Sequence, residues 1–522
     1  MTPIASILCA VLSAFALSAG IPNEFLKMGS SLLGLTALVP LYIALKQTKS
    51  WRMAGFLGGL MMGLVQLVSS FWLANFRDFA IFTLGGSALV CFGFGVLAGW
   101  LLKYALTFPE HVRPFLFAAV YTIWEWFKST GFFAYPWGTL VMTSRELTQL
   151  IQIADLTGTW GIGFLFALVS AVLAEAAMHR RTFTFRSVFS RTAAFMAALV
   201  ILATAYGAFR IATFPAPRDS LDVVMVQQNA DSWDDNAARQ AILDSESLTM
   251  DAVLEAGKKP DLVVWSESSL PWPYIAHRAF YARTPEEYPL SVFLRDLDAP
   301  ILAGSPVLVD PENDGYGNSI ILLAPNGNQL AYYSKIQLVP FAEYMPFTEY
   351  ELVRKFFDAI VGFSRGWVPG TDISPMIIKN KAGRDVRIST PICFEDAFSG
   401  LNARMHNAGG DVIVNLTNDS WSKTDSAELQ HFVIASFRSI ELRVPMVRST
   451  NAGYSVVVDP KGTVLADLPL FAKASKFVTV PVYPHTETFY ARFGDWFPAL
   501  LALLVLAASV ASLVIDRKRR DC

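Results

Sequence analysis

Long uncharged apolar runs fill both ends of this chain, whereas from about Ala216 to about His485 apolar residues come in short bursts broken by charged and turn residues. A bilayer core needs about 20 apolar residues per helix, and about eight runs approach that length. They lie near Pro3 to Ala19, Ser31 to Leu45, Met53 to Phe76, Phe79 to Leu106, Pro114 to Thr130, Trp160 to Met178, Thr192 to Phe214 and Trp496 to Ile515. The first has no basic leader before it and reads as a retained helix, not a cleaved signal.

The central stretch has a different periodicity. Strand-like runs occur at Leu221 to Gln227, Leu262 to Trp265, Ile301 to Gly304, Ser319 to Leu323, Val412 to Leu416 and Tyr454 to Val458, while Asp235 to Ala256 and Glu428 to Arg443 carry helical spacing. This alternation predicts a layered α/β domain of roughly 270 residues, enough to bury its own core. The organisation expected is seven membrane helices over 1–215, an α/β domain over 216–490, and an eighth helix with a basic tail over 491–522.

Composition agrees: 53% of the 522 residues are hydrophobic and 16% charged, with mean hydropathy +0.39. A net charge of −2 and a pI near 6.3 supply no electrostatic footprint for nucleic acid, and that class is set aside. Charge position is more informative. Lys46, Lys49 and Arg52 follow the second run, Lys103 and Arg113 the fourth, Arg180, Arg181, Arg186 and Arg191 the sixth, and Arg517, Lys518, Arg519 and Arg520 the last. All fall on one side of an eight-helix path, which the positive-inside rule makes cytoplasmic. The α/β domain then faces outward, on the periplasmic or extracellular side.

Of four cysteines, Cys9 and Cys91 lie in apolar runs and Cys522 ends the chain, which leaves Cys393 alone in the outward domain. Exported domains use cysteine mostly in disulfide pairs. A lone thiol there is either a small buried hydrophobe or a reactive group. The segment V-R-I-S-T-P-I-C, Val386 to Cys393, reads as a strand that ends at the thiol and favours the second.

Three segments then resemble the nitrilase, or carbon–nitrogen hydrolase, superfamily, in that family's order. They are V-V-W-S-E-S-S-L-P-W with Glu267, Y-S-K-I-Q-L-V-P-F-A-E-Y with Lys335, and P-I-C-F-E-D with Cys393. Separations of roughly 70 and 60 residues and the following N-L-T-N-D-S-W, Asn415 to Trp421, are similar too. With seven helices before the domain and one after, and with W-E-W-F-K around Glu125 and A-Y-P-W-G around Trp137, the whole chain looks like the apolipoprotein N-acyltransferase family. It departs at Phe394, where the family commonly has Tyr.

The resemblance implies an αββα sandwich and a Glu–Lys–Cys triad: Cys393 as nucleophile, Glu267 as general base and acid, and Lys335 stabilising the oxyanion with the backbone N–H of Phe394. It implies a phospholipid acyl donor such as phosphatidylethanolamine, an apolipoprotein diacylglyceryl-cysteine as acceptor, and a ping-pong path through a Cys393 thioester. Trp233 and Trp421 match substrate-binding positions, and Glu343 matches a further acid near the lysine. Glu343 and Glu395 are expected to be structural carboxylates that hold Lys335 or the cysteine loop. The six histidines form no metal-ligand pattern, so no metal and no cofactor is expected. Phe356, Phe357, Ile360, Val361, Phe363 and Trp367 are apolar enough for a lid that touches lipid, or for a helix docked on the core. Glu125 is expected to face a polar cavity or to pair with Lys128. Two other functions stay open: a membrane-anchored amidase that passes its acyl group to water, and a non-catalytic binding module.

Overall fold

The computed structural model describes residues 1–76, 81–131, 134–179, 188–231, 237–361 and 366–521. Trp233, Phe363, Phe79, Asp235, Arg180, Arg181, Arg186 and Cys522 lie outside the described residues. The chain forms two compact units, one of Met1–Phe214, Thr424–Glu441 and Thr488–Cys522, the other of Pro215–Lys423 and Leu442–Glu487.

In the first unit, six helices among the described residues are long and apolar enough to cross a membrane: Pro3–Gly20, Trp51–Ser69, Thr83–Ala105, Thr159–His179, Arg191–Ala212 and Trp496–Ile515. These, with the family reported below, make the chain a multipass membrane protein. The other two expected spans are shorter. Ser31–Gln47 is interrupted between Thr36 and Val39, where Pro40 sits in the first turn of the second half. Arg113–Lys128 has 16 residues. Helices Trp51–Ser69 and Ser87–Ala105 pack backbone to backbone, so a Cβ added at Gly99 would lie 2.4 Å from the Ala54 carbonyl oxygen.

Arg113 and Glu175 form a buried ion pair in this unit. Arg113 donates to both oxygens of Glu175 at 2.6 Å, and Tyr42 donates its hydroxyl to the same carboxylate. Glu110, Glu175 and His179 come together as the group of described residues nearest to a metal-ligand set, which the sequence did not foretell. Glu175, however, is already committed to Arg113. Glu125 is buried and accepts from the Leu140 N–H at 2.7 Å, while Lys128 donates to the Trp137 carbonyl. Helix Asp425–Leu442 groups with this unit over most of its length. Gln430 donates to the carbonyls of Pro22 and Ser69, both at 2.9 Å, and Trp72 donates to Gln430 at 3.2 Å.

Among the described residues, the second unit holds fourteen strands: β1 (Asp219–Gln227), β2 (Leu262–Val264), β3 (Ile301–Gly304), β4 (Val307–Asp310), β5 (Gly315–Gly317), β6 (Ser319–Leu323), β7 (Gln329–Ser334), β8 (Met376–Lys379), β9 (Asp385–Ser389), β10 (Val412–Thr417), β11 (Met446–Thr450), β12 (Val456–Val458), β13 (Val464–Asp467) and β14 (Ala474–Val482). One six-stranded sheet runs β14-β1-β2-β3-β6-β7 and the other β13-β12-β11-β10-β9-β8, with β4 and β5 as a separate hairpin. β1, β2 and β3 are parallel, as are β9, β10 and β11.

The sheets pack face to face. Their shared core joins Val223, Val264, Leu302 and Leu322 of the first to Ile388, Val414, Val447 and Val457 of the second. The alternate residues Val224, Val263, Ile301 and Ile321 face a second core with Ile242, Phe293 and Leu294 of helices Ala238–Ala256 and Leu290–Leu297. This two-sided burial explains why the parallel strands read as continuous apolar runs. The nitrilase-like α/β fold expected from the sequence is present.

Candidate active site

Strand direction brings the three motifs to one end of the sandwich. Glu267 follows β2, Lys335 directly follows β7, and Cys393 follows β9, each beyond a strand's C-terminal end, where open α/β sheets collect ligand-binding groups. Asn318 immediately precedes β6, which is antiparallel to β3 and β7, and so sits at the same end.

Glu267 leaves β2 through a sharp turn. Ser268 has φ 57°, and a Cβ on Gly304 of the neighbouring strand would lie 2.2 Å from the Ser268 nitrogen, so a glycine is required there. Both carboxylate oxygens are held: Oε1 accepts from Asn318 Nδ2 and Oε2 from the Asn418 backbone N–H, each at 2.8 Å. Burial raises the Glu267 pKa above the usual carboxylate range. The Lys335 ammonium opposes that shift and the Glu343 carboxylate adds to it.

Lys335 is only 1% exposed. Its backbone is pinned on both sides, its N–H to the Asn318 carbonyl and its own carbonyl to the Gly370 N–H, both at 2.8 Å. The ammonium lies 2.8 Å from Glu343 Oε1 and 3.9 Å from Glu267 Oε1. Burial works against the charge, but the carboxylates of Glu343 and Glu267 outweigh it and hold the pKa above the ordinary lysine value. Lys335 is therefore cationic at neutral pH. Glu343 is fixed in turn by the Val339 N–H at 2.8 Å and Asn318 Nδ2 at 3.1 Å.

The sequence suggested a strand running up to the thiol, but β9 stops at Ser389 and Cys393 opens a short 3₁₀ turn, Cys393–Ala397. Pro391 breaks the ladder because it has no N–H to donate. Cys393 has φ 48°, a left-handed conformation that a side chain adopts at a cost of about 1–3 kcal/mol. Asn415 of β10 holds the turn by donating to the carbonyls of Pro391 at 3.0 Å and Cys393 at 3.2 Å. Phe394 is buried, with its ring edge-on to Phe398. Burial pushes the Cys393 thiol pKa up, the charges of Glu267 and Asp419 push it further, and Lys335 pulls it down.

Glu395 fastens the lysine and cysteine loops together. It accepts from the backbone N–H groups of Ile336 (2.7 Å), Gln337 (2.9 Å) and Ile392 (2.7 Å) and from the Tyr333 hydroxyl. Burial raises its pKa to about 7, against the pull of those N–H groups. Trp421 is half-buried in the turn after Asp419.

Sequence reasoning passed over Asn318, Asn415, Asn418, Asp419, Arg448 and Tyr333. Four of these lie inside or beside quoted motifs, but their roles depend on contacts between strands far apart in sequence. Between the lysine and cysteine motifs, Phe341, Phe347, Leu352, Val353, Phe356 and Phe357 line an apolar groove of about 330 Å³. Leu352 and Phe356, on helix Glu351–Val361, are 84% and 53% exposed.

Two sheets with an acid, a lysine and a thiol at one end define a nitrilase-type domain, and residues 223–482 match the carbon–nitrogen hydrolase family model. Residues 13–172 match the apolipoprotein N-acyltransferase N-terminal domain. The chain is 47% identical to apolipoprotein N-acyltransferase 2 of Treponema denticola over 502 residues, covering 95% of each chain. It is 43% identical to apolipoprotein N-acyltransferase 2 of Treponema pallidum, covering 99% of this chain and 96% of the relative. An amidase from Nesterenkonia of known structure is 19% identical with a TM-score of 0.36, over 53% of this chain and 95% of its own. The chain belongs to the apolipoprotein N-acyltransferase family.

Proposed function

We propose that this protein N-acylates the diacylglyceryl-cysteine at the N-terminus of apolipoproteins, with a phospholipid, phosphatidylethanolamine foremost, as donor. The observation that carries this reading is the meeting of Glu267, Lys335 and the strained Cys393 turn at one end of the sandwich, in a chain of this family.

Cys393 sulfur attacks the ester carbonyl of the donor. Its proton passes to Glu267 and from there to the departing alkoxide of the lysophospholipid, which leaves a thioester. General-base help of this kind contributes typically about 10²- to 10⁴-fold. Lys335 and the Phe394 backbone N–H stabilise the tetrahedral oxyanion. The acceptor amine then attacks the thioester, Glu267 takes its proton, and the sulfur leaves and is reprotonated. Glu343 holds Lys335, Glu395 holds both loops, and Trp421 and Trp233 contact substrate. No metal or cofactor enters this scheme.

The exposed apolar residues of helix Glu351–Val361 and the groove beside it suit a surface that meets acyl chains, and we assign them to lipid contact. We assign the catalytic domain to the periplasmic side of the inner membrane, a reading that the basic clusters support through the positive-inside rule. The test is conversion of a synthetic diacylglyceryl lipopeptide by the purified protein in phospholipid–detergent micelles, read as a mass gain of one acyl chain. The protein as it stands yields the N-acylated peptide, and Cys393→Ser and Glu267→Gln do not. Release of free fatty acid without acylated peptide would favour the amidase reading.

A further inference from the structure

The cysteine turn has a second carboxylate that the proposed mechanism does not use. Cys393 Sγ lies 3.7 Å from Asp419 Oδ1, within reach of a sulfur hydrogen bond. Glu267, the assigned base, has both oxygens engaged by Asn318 and Asn418. Asn418 and Asp419 are consecutive, so one loop beyond β10 supplies a backbone donor to the base and a side-chain acceptor to the nucleophile.

Asp419 is not left to choose its own position. Its Oδ2 accepts from Arg448 Nη2 at 3.2 Å, and Arg448 Nε donates to Asp396 Oδ2, also at 3.2 Å. Arg448 and Asp396 are fully buried, and Asp396 is three residues beyond the nucleophile. Asn451 donates to Asn418 Oδ1 at 3.1 Å and to Ser420 Oγ at 3.0 Å, and so fixes the loop on both sides of Asp419. An arginine buried between two aspartates beside a nucleophile is costly to desolvate and contributes little stability by itself. Its position accounts for its presence.

Resting on the assignment of Cys393 as nucleophile, we propose that Asp419 is a positioning residue: clamped by Arg448, it accepts the S–H hydrogen bond of Cys393 in the resting enzyme and so keeps the sulfur protonated until the acyl donor enters. The charged groups that face the thiol are Glu267 and Glu343, Lys335, and Asp419 with its Arg448–Asp396 clamp. Among these described groups, Asp419 is placed as an acceptor of the S–H. A partly exposed thiol is thereby guarded against oxidation and adventitious acylation, since the thiolate is the reactive form.

The test is the rate of iodoacetamide alkylation of Cys393 in the detergent-solubilised full chain as a function of pH, with the adduct mapped by peptide mass. In Asp419→Asn the midpoint moves down by about one unit, so that alkylation below it is about tenfold faster. Asp419→Glu retains the carboxylate and returns the midpoint toward the starting value. An unchanged or raised midpoint in Asp419→Asn overturns the proposal. Should that variant fail to fold, the infrared difference between the protein and Cys393→Ser decides. A red-shifted S–H stretch at neutral pH supports the proposal, and no S–H band, meaning a resting thiolate, contradicts it. A phospholipid acyl adduct on Cys393, measured in parallel, separates failure of this proposal from failure of the nucleophile assignment.

Discussion

Glu246 lies on the helix behind β1, is fully buried, and has neither carboxylate oxygen hydrogen-bonded. Burial raises its pKa to about 8. Between the ordinary carboxylate pKa and that value the folded state binds a proton that the unfolded chain has lost, so stability falls as pH rises through the window. Glu246→Gln removes the effect. Thermal unfolding in detergent at pH 5 and pH 8 is expected to show the variant's advantage growing with pH, and an equal gap at both would refute the assignment. Glu395 behaves otherwise, since its carboxylate is the acceptor for three backbone N–H groups. Glu395→Ala leaves those donors unsatisfied at about 1–3 kcal/mol each. It should lower both melting temperature and turnover, whereas loss of turnover alone would mean that Glu395 takes part in the chemistry. Glu267 and Cys393 were legible because each follows an apolar run inside a motif, and Lys335 because its motif stands between theirs in order and spacing. Asn318 and Asp419 were not, because nothing near them in sequence says which distant strand they face.

At the scale of elements, the parallel strands β1, β2, β3, β9 and β10 and the long membrane helices could be read from their apolar runs, whereas the parallel strand β11 was not picked out. β7, β8, β13 and β14 could not be read so, since their alternating half-exposed residues resemble loop composition. The fifth span was expected to run from near Pro114 to near Thr130, but its helix, Arg113–Lys128, ends where the Ser129 N–H closes on the Glu125 carbonyl. Its Arg113 should matter more than its length. Arg113→Ala takes the guanidinium from buried Glu175, leaving it with Tyr42 and His179, and is expected to cost about 3–5 kcal/mol, while the double change Arg113→Met with Glu175→Leu recovers most of it. Thermal melts of the three proteins decide, and equal melts for the single and double variants would contradict the pairing argument. Helix Glu351–Val361 carries a functional expectation. Burying Leu352 and Phe356 in lipid contributes roughly 1.5–3 kcal/mol each, so Leu352→Ser with Phe356→Ser should cut kcat/KM for a membrane-held donor at least tenfold. Cys393 alkylation by a water-soluble reagent should be unchanged, and a parallel loss of alkylation would mean that the helix supports the site itself.

The whole molecule combines a multipass membrane unit and a nitrilase-type domain in one chain, and the domain is proposed to face the periplasm. The orientation rests on the basic loops and is open to direct labelling. In a Cys393→Ser background, Asn313→Cys should react with a membrane-impermeant maleimide in cells whose outer membrane is permeabilised, and Lys49→Cys only after lysis; the reverse pattern would invert the topology. The central claim, acyl transfer through Cys393, is tested most directly by intact-mass spectrometry of the purified protein after incubation with a phospholipid. The expected result is one acyl adduct on the wild-type protein, absent from Cys393→Ala and discharged when a diacylglyceryl lipopeptide bearing a free amine is added. No adduct, or one that forms equally on Cys393→Ala, would contradict the account.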